Sequence, residues 1–218
     1  MIEWKTSKKL VPMRAALDLM QERVDDIHKK NKPEFIWMLE HPNIITGGTS
    51  AKKEHLKKTR IQIEQTGRGG SYTYHGPGQR VIYVMLDLRN QGRDIKRFVW
   101  KLEEWIILSL KELGIFAERR LNRVGVWVQR KDFPAKSFNS RGFEEYKVAA
   151  IGLRLRKWIS FYGISINVNP NLSHFDDIIP CGNDGFGVTS LHDLGLTTSI
   201  EELDIILKQT FYRVFISR

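Results

Sequence analysis

The chain has 218 residues, 41% of them hydrophobic, one cysteine and a formal net charge of +10 at pH 7, with no Ser/Gly/Pro-rich linker or repeat. That composition suits a single domain, residues 1–218, with its own buried core, and the lone thiol excludes an internal disulfide. No run of eighteen apolar residues and no leader-like apolar segment occurs, so a cytoplasmic protein away from the membrane is expected.

In residues 11–30, Met13, Ala16, Leu17, Met20, Val24 and Ile27 recur three or four apart and predict a first amphipathic helix. Residues 34–40, Glu-Phe-Ile-Trp-Met-Leu-Glu, form a short apolar run closed by His41-Pro42, as expected of a buried strand, and residues 81–88 read likewise. Asp94 precedes a periodic stretch in which Phe98, Val99, Leu102, Ile106, Leu110 and Leu113 share a face and which stops at Gly114, predicting a second helix. Residues 124–129, 148–156 and 159–168 read as strands, the last two as neighbours. Ser199 and Glu202 fit a capping box that opens a terminal helix over residues 199–218, with Leu203, Ile206, Leu207 and Phe215 on its stripe. Helices at both ends and in the middle, with hairpin-like strands between them, imply an α/β (α+β) fold. A mixed sheet with packed helices suits this order better than a doubly wound parallel sheet.

Five of the seventeen glycines fall in residues 67–78, within Gly-Arg-Gly-Gly-Ser-Tyr-Thr-Tyr-His-Gly-Pro-Gly-Gln. The spacing matches neither a dinucleotide fingerprint nor a phosphate loop, which leaves tight turns between strands or a backbone opened to a ligand. Arg68 and His75 favour the second, because they place hydrogen-bonding groups beside bare backbone. The six histidines, at 28, 41, 55, 75, 174 and 192, include no His-x-x-x-His pair, and no metal site or cofactor is expected. The basic clusters are short and dispersed. They predict an acidic partner without choosing between protein, membrane and nucleic acid.

Cys181 stands in Pro-Cys-Gly, where Pro180 extends the preceding backbone and Gly182 leaves room beside the sulfur. A free cysteine is commonly buried filler; as a nucleophile it needs a cation, since an ordinary thiol titrates near ~8.5 and is scarcely ionised at neutrality. Lowering that value by about two units takes roughly 2.7 kcal/mol, within reach of one close positive charge. Lys147, expected at the start of a strand rich in small residues, is the candidate for that charge.

Five segments, taken together, closely resemble the lipoyl(octanoyl) transferase family. They are Arg68-Gly-Gly-Ser-Tyr-Thr-Tyr-His-Gly-Pro-Gly-Gln79, Lys147-Val-Ala-Ala-Ile-Gly152, Gly163-Ile-Ser-Ile-Asn-Val-Asn169, Pro180-Cys-Gly182 and Gly187-Val-Thr-Ser-Leu191. The resemblance runs from about residue 41 to 191 and implies a fold like the catalytic domains of biotin and lipoate protein ligases. It also implies the reaction: an octanoyl group passes from acyl carrier protein, through a cysteine thioester, to a lysine of a lipoyl domain. Carried onto this chain, it makes Cys181 the nucleophile and Lys147 the group that ionises it. It makes Arg68, Gly69, Gly70, Ser71, Tyr72, Thr73, Tyr74 and His75, with Ala150, Ile151, Gly152, Gly163, Ile164 and Ser165, the acyl-binding segments. Partners implied are octanoyl-acyl carrier protein, the lipoyl domains of 2-oxoacid dehydrogenase complexes and the glycine cleavage H protein, served by a monomer. Tyr162 departs from the family, in which many members carry histidine at that place. An ATP-dependent ligase of the same fold is the first rival, although its arginine–glycine signature is expected to differ. A nucleic-acid-binding module, suggested by charge and by Tyr72 and Tyr74 among glycines, is the second, and the dispersed basic clusters speak against it.

Overall fold

The computed structural model of the protein describes residues 2–130, 144–179 and 186–216. Cys181, with Pro180 and Gly182, lies outside the described residues. Strands β1 (Ile2–Thr6), β2 (Glu34–Leu39), β6 (Gln79–Met85), β7 (Glu118–Arg120), β8 (Arg123–Arg130), β9 (Glu144–Arg156), β10 (Ile159–Asn167) and β11 (Gly187–Val188) build one sheet. Its order is β1-β2-β6-β10-β9-β8-β7, with β11 also paired to β9. The pairs β1–β2 and β9–β11 are parallel and the others antiparallel, so the sheet is mixed, as expected. A second sheet of order β4-β3-β5 joins β3 (Ile44–Gly47), β4 (Ile63–Gln65) and β5 (Tyr72–His75).

Alternation along the strands divides the core in two. Ile36, Met38, Ile82, Val84, Ile164 and Ile166 face helices α2 (Ile95–Glu112) and α3 (Ile200–Phe215). These helices are joined by the Trp105 indole, which donates to the Leu207 carbonyl at 2.8 Å, and by the Ser109–Thr210 hydroxyl pair at 2.7 Å. Phe35, Trp37, Leu39, Val81, Tyr83 and Met85 face the other way, onto Ala16, Met20, Val24 and Ile27 of helix α1 (Met13–His28). The helix signals read from sequence operate as expected: the Asp94 carboxylate accepts from the Arg97 N–H, and Ser199 and Glu202 form a reciprocal capping box.

Helix α1 covers β2, β6 and the start of β10. Beyond it the same face of the sheet passes under the smaller sheet and the glycine-rich segment 66–71, and the space between them is a cavity of about 820 Å³.

Candidate active site

The cavity floor follows from strand register. Gly163 of β10 lies opposite Tyr83 of β6 and Gly152 of β9, and Ser165 lies opposite Val81 and Ala150. Ala150 and Ser165 therefore end in a methyl and a hydroxymethyl on this floor, while Gly163 is required by backbone packing, because a Cβ there would collide with the Ile82 carbonyl. Gly152 is also the place of a close approach, because a Cβ there would stand 3.0 Å from the Arg68 Cδ and 3.3 Å from the Gly69 carbonyl. The roof comes from β5 and the loop before it. There the Gly69 N–H donates to the Leu153 carbonyl at 2.8 Å, and the Gly67 N–H donates to the Tyr162 hydroxyl at 3.0 Å. Tyr162 has a φ of +66°, a left-handed conformation rare for a bulky residue, and this strained turn in β10 aims its ring into the cavity wall.

Arg68 serves the architecture of this roof. Its guanidinium donates to the Thr46 carbonyl at 2.6 Å, to the Thr46 hydroxyl at 2.8 Å and to the Gly69 carbonyl at 3.1 Å, tying the loop to β3. His75 is buried and joined through Nδ1 to Gln79 Oε1 at 2.6 Å; Gln79 then donates to Asn167 at 2.9 Å, and Asn167 to the Thr189 carbonyl at 2.9 Å. Desolvation, with a smaller contribution from neighbouring His41, pushes the His75 imidazole down to about 3. His41, held between the Val11 carbonyl and the Tyr83 hydroxyl, is pushed by burial to about 4. Both rings are neutral near pH 7, so His75 presents the cavity with a hydrogen-bonding ring without imidazolium charge.

Lys147 reaches this cavity because β9 is irregular. Trp127 pairs with Lys147 and Val126 with Ala149, which leaves Val148 as an extra residue, a β-bulge. Without it, strict alternation would place Lys147 with Ala149, on the α2 side; the extra residue returns it to the face that carries Ala150 and Gly152. Lys147 is 5% exposed, and its ammonium donates to the Val124 carbonyl at 3.1 Å. The same ammonium lies 4.6 Å from the Trp127 ring centre and 5.6 Å from that of Phe186, where π-faces replace part of its lost hydration. The sequence placed Lys147 at a strand start; it is in fact the fourth residue of β9.

The described residues flanking segment 180–185 are both fixed near the cavity. On one side the Ile179 N–H donates to the His55 carbonyl at 2.8 Å, and His55 lines the cavity. On the other, Phe186 lines the cavity, and β11 pairs Val188 with Lys147 and Gly187 with Tyr146. Of the acyl-binding residues expected from the sequence, Arg68, Gly69, Gly70, Ser71, Tyr72, Thr73, His75, Ala150, Gly152, Gly163 and Ser165 line the cavity, and Ile151 and Ile164 border it although they belong to the core under α2 and α3. Tyr74 is not among the lining residues: it is buried beside Phe175 in the small sheet's own core and donates to Asn43 at 2.8 Å. Among the described residues no group of three His, Cys, Asp or Glu side chains is arranged to hold a metal. Sequence reading passed over Tyr83, Asn167 and Glu103. Glu103 left only a weak signal, because it stands beside Glu104 in a helix and differs from it only by falling four residues after Val99 on the apolar stripe of α2.

Comparison with known proteins places this geometry. The family model of the lipoyl protein ligase A/B catalytic domain matches residues 12–212. The chain is similar to the octanoyltransferase of Bartonella quintana, at 51% identity over 98% of this chain and 87% of that protein. It is also similar to the octanoyltransferase of Cereibacter sphaeroides, at 52% identity over 98% of each. Among solved structures, a bi-partite lipoate protein ligase from Thermoplasma acidophilum shares the fold, with a TM-score of 0.66 at 16% identity over 98% of this chain and 84% of that one. A biotin protein ligase from Aquifex aeolicus shares it at a TM-score of 0.54 and 15% identity, over 97% and 68% of the respective chains.

Proposed function

The chain belongs to the lipoyl protein ligase A/B catalytic-domain family, as an acyltransferase of the octanoyltransferase kind, and from that premise we propose that it transfers octanoyl through a thioester on Cys181. The donor is octanoyl-acyl carrier protein. The acceptors are lysine amines on lipoyl domains of 2-oxoacid dehydrogenase complexes and on the glycine cleavage H protein. One cytoplasmic, monomeric catalytic domain carries the whole reaction.

The observation that carries this reading is the cavity floored by Ala150, Gly152, Gly163 and Ser165 with the buried Lys147 ammonium along its wall. The apolar part of this lining suits an unbranched acyl chain, and each methylene buried there is worth about 0.8 kcal/mol before ordering costs. The fixed neighbours of segment 180–185, Ile179 at His55 and Val188 at Lys147, support a thiol delivered to the same cavity.

In the first half-reaction the Cys181 thiolate, stabilised by Lys147, attacks the donor's thioester carbonyl. The tetrahedral intermediate collapses with cleavage of the carrier's carbon–sulfur bond, and the carrier thiolate leaves and takes a proton. In the second, the neutral lysine amine of the lipoyl domain attacks the Cys181 thioester. The carbon–sulfur bond breaks, Cys181 regains the thiolate, and the amine's proton is lost to solvent. Lys147 stabilises negative charge on the carbonyl oxygen in both intermediates. Thioester exchange is close to isoenergetic and the amide is more stable than the thioester, so no nucleotide is consumed. The basic surface, with its net charge of +10, complements acidic carrier and lipoyl domains.

The test mixes the protein with octanoyl-acyl carrier protein and an unmodified lipoyl domain without nucleotide. An octanoyl mass increment on the acceptor lysine is expected; product that forms only from octanoic acid and ATP would make the protein a ligase instead.

A further inference from the structure

We propose that Glu103 of α2 is a positioning residue that holds the Lys147 ammonium in place through the peptide group joining Val124 to Gly125. The inference rests on Lys147 having the role given above.

The geometry is a relay across one peptide plane. Lys147 Nζ donates to the Val124 carbonyl at 3.1 Å, and the Gly125 N–H donates to Glu103 Oε1 at 3.0 Å. The Val124 C=O and the Gly125 N–H belong to the same planar trans peptide and point in opposite directions. Lys147 therefore grips one side of the peptide and Glu103 the other. A carboxylate accepting from the N–H also polarises the peptide, which makes the carbonyl a better acceptor for the ammonium.

This peptide needs an anchor. Gly125 has a φ of +132°, open to glycine and closed to nearly every other residue, and glycine rotates easily when nothing holds it. A Cβ at Gly125 would also stand 2.9 Å from the Ala149 carbonyl and 3.1 Å from Lys147 Cε, so the lysine passes directly over this residue. The adjoining pairs, Val126 with Ala149 and Trp127 with Lys147, bracket the bulge that turns Lys147 into the cavity. Glu103 thus fixes the irregular part of β8 that lies against the irregular part of β9.

Its own surroundings suit a fixed carboxylate in a dry place. Glu103 is 7% exposed on the buried side of α2, with the Arg119 guanidinium 3.4 Å from Oε2. Burial pushes its carboxyl above the usual range, while the Gly125 N–H, Arg119 and Lys147 draw it back. The other charges nearby are partnered elsewhere: Arg119 also binds Glu104, and Arg123, stacked on the Trp127 ring, pairs with Glu145.

The test compares Glu103→Ala, Glu103→Gln and Glu103→Asp in two backgrounds, wild type and Lys147→Ala, by single-turnover octanoyl transfer. Glutamine keeps an oxygen for the Gly125 N–H and holds the rate within about threefold; alanine, and aspartate one carbon shorter, lower it by about 10- to 100-fold, the order expected of a misplaced catalytic group. The KM for the octanoyl donor stays unchanged. If Glu103→Ala does not fold, Glu103→Asp carries the comparison. In the Lys147→Ala background the same changes alter the residual rate by less than about twofold, because the residue they act through is gone. Equal losses in both backgrounds, or no loss in wild type, overturn the inference. A Lys147→Ala protein with wild-type rate would instead refute the role given to Lys147.

Discussion

Replacing Ala150 by leucine tests the cavity floor. Ala150 lies opposite Ser165 and one row from the Gly152–Gly163 pair, with its side chain on the cavity face, so leucine adds three carbons where an acyl chain is taken to run. Displacing two or three methylenes of octanoyl forfeits about 1.6–2.4 kcal/mol at 0.8 kcal/mol each, a loss of about 15- to 60-fold in kcat/KM. Butanoyl, too short to reach the new side chain, loses little. The assay is transfer from a series of acyl-carrier proteins of increasing chain length, with the thermal midpoint as a check of folding. The expected result is a preference shifted to shorter chains. A folded variant with an unchanged octanoyl-to-butanoyl ratio would refute the placement of the acyl chain on this floor.

Lys147→Ala removes a donor from the Val124 carbonyl but no part of the apolar core, so it is expected to fold, and the alkylation profile of Cys181 then moves to higher pH; an unmoved profile contradicts its part in ionising the thiol. Arg68→Ala leaves the Thr46 carbonyl buried without its charged donor and costs about 1–3 kcal/mol in denaturant unfolding, and Arg68→Lys recovers little because an ammonium cannot reproduce the guanidinium fork. The pH dependence of stability follows from His41 and His75, whose folded values near 4 and 3 lie below the unfolded value of about 6.5. Their contribution is complete above about pH 6.5 and erodes as pH falls toward about 4 for His41 and about 3 for His75, because the unfolded chain binds protons that the native chain refuses. Asp204, raised by burial to about 6, acts in the opposite sense between about 4 and 6. Removing one imidazole, as in His75→Gln, should flatten the acid side of the stability curve by roughly 1 kcal/mol per pH unit; an unchanged slope would contradict the neutral pair.

The elements with a long period were legible. Helices α1, α2 and α3 announce themselves by apolar stripes and caps, β2 and β6 by continuous apolar runs and β10 by alternation, because each buries a face against a large core. The strands of the smaller sheet were not. Ile63–Gln65 is three residues long and largely exposed, and Ile44–Gly47 and Tyr72–His75 are four each, too short for alternation to rise above the surrounding glycines. Edge strand β1 escaped because its alternation covers only five residues, none of them fully buried. In the site, the glycine-rich segment and the strand 147–152 carried enough chemistry to be singled out, yet the feature that brings Lys147 to them is an extra residue in pairing, which depends on the partner strand and leaves no trace in β9 alone. Tyr162 was visible only as a departure from relatives; its strained backbone and its bond to Gly67 come from tertiary packing.

The reaction proposed for this chain depends on one thiol carrying the acyl group. The direct measurement is mass spectrometry of the intact protein after brief exposure to octanoyl-acyl carrier protein, with no nucleotide and no acceptor, followed by peptide mapping. One octanoyl increment is expected on the peptide bearing Cys181, removed by hydroxylamine and consumed when a lipoyl domain is added. A protein that transfers octanoyl at full rate while Cys181 stays unmodified, or after Cys181→Ala, would contradict it.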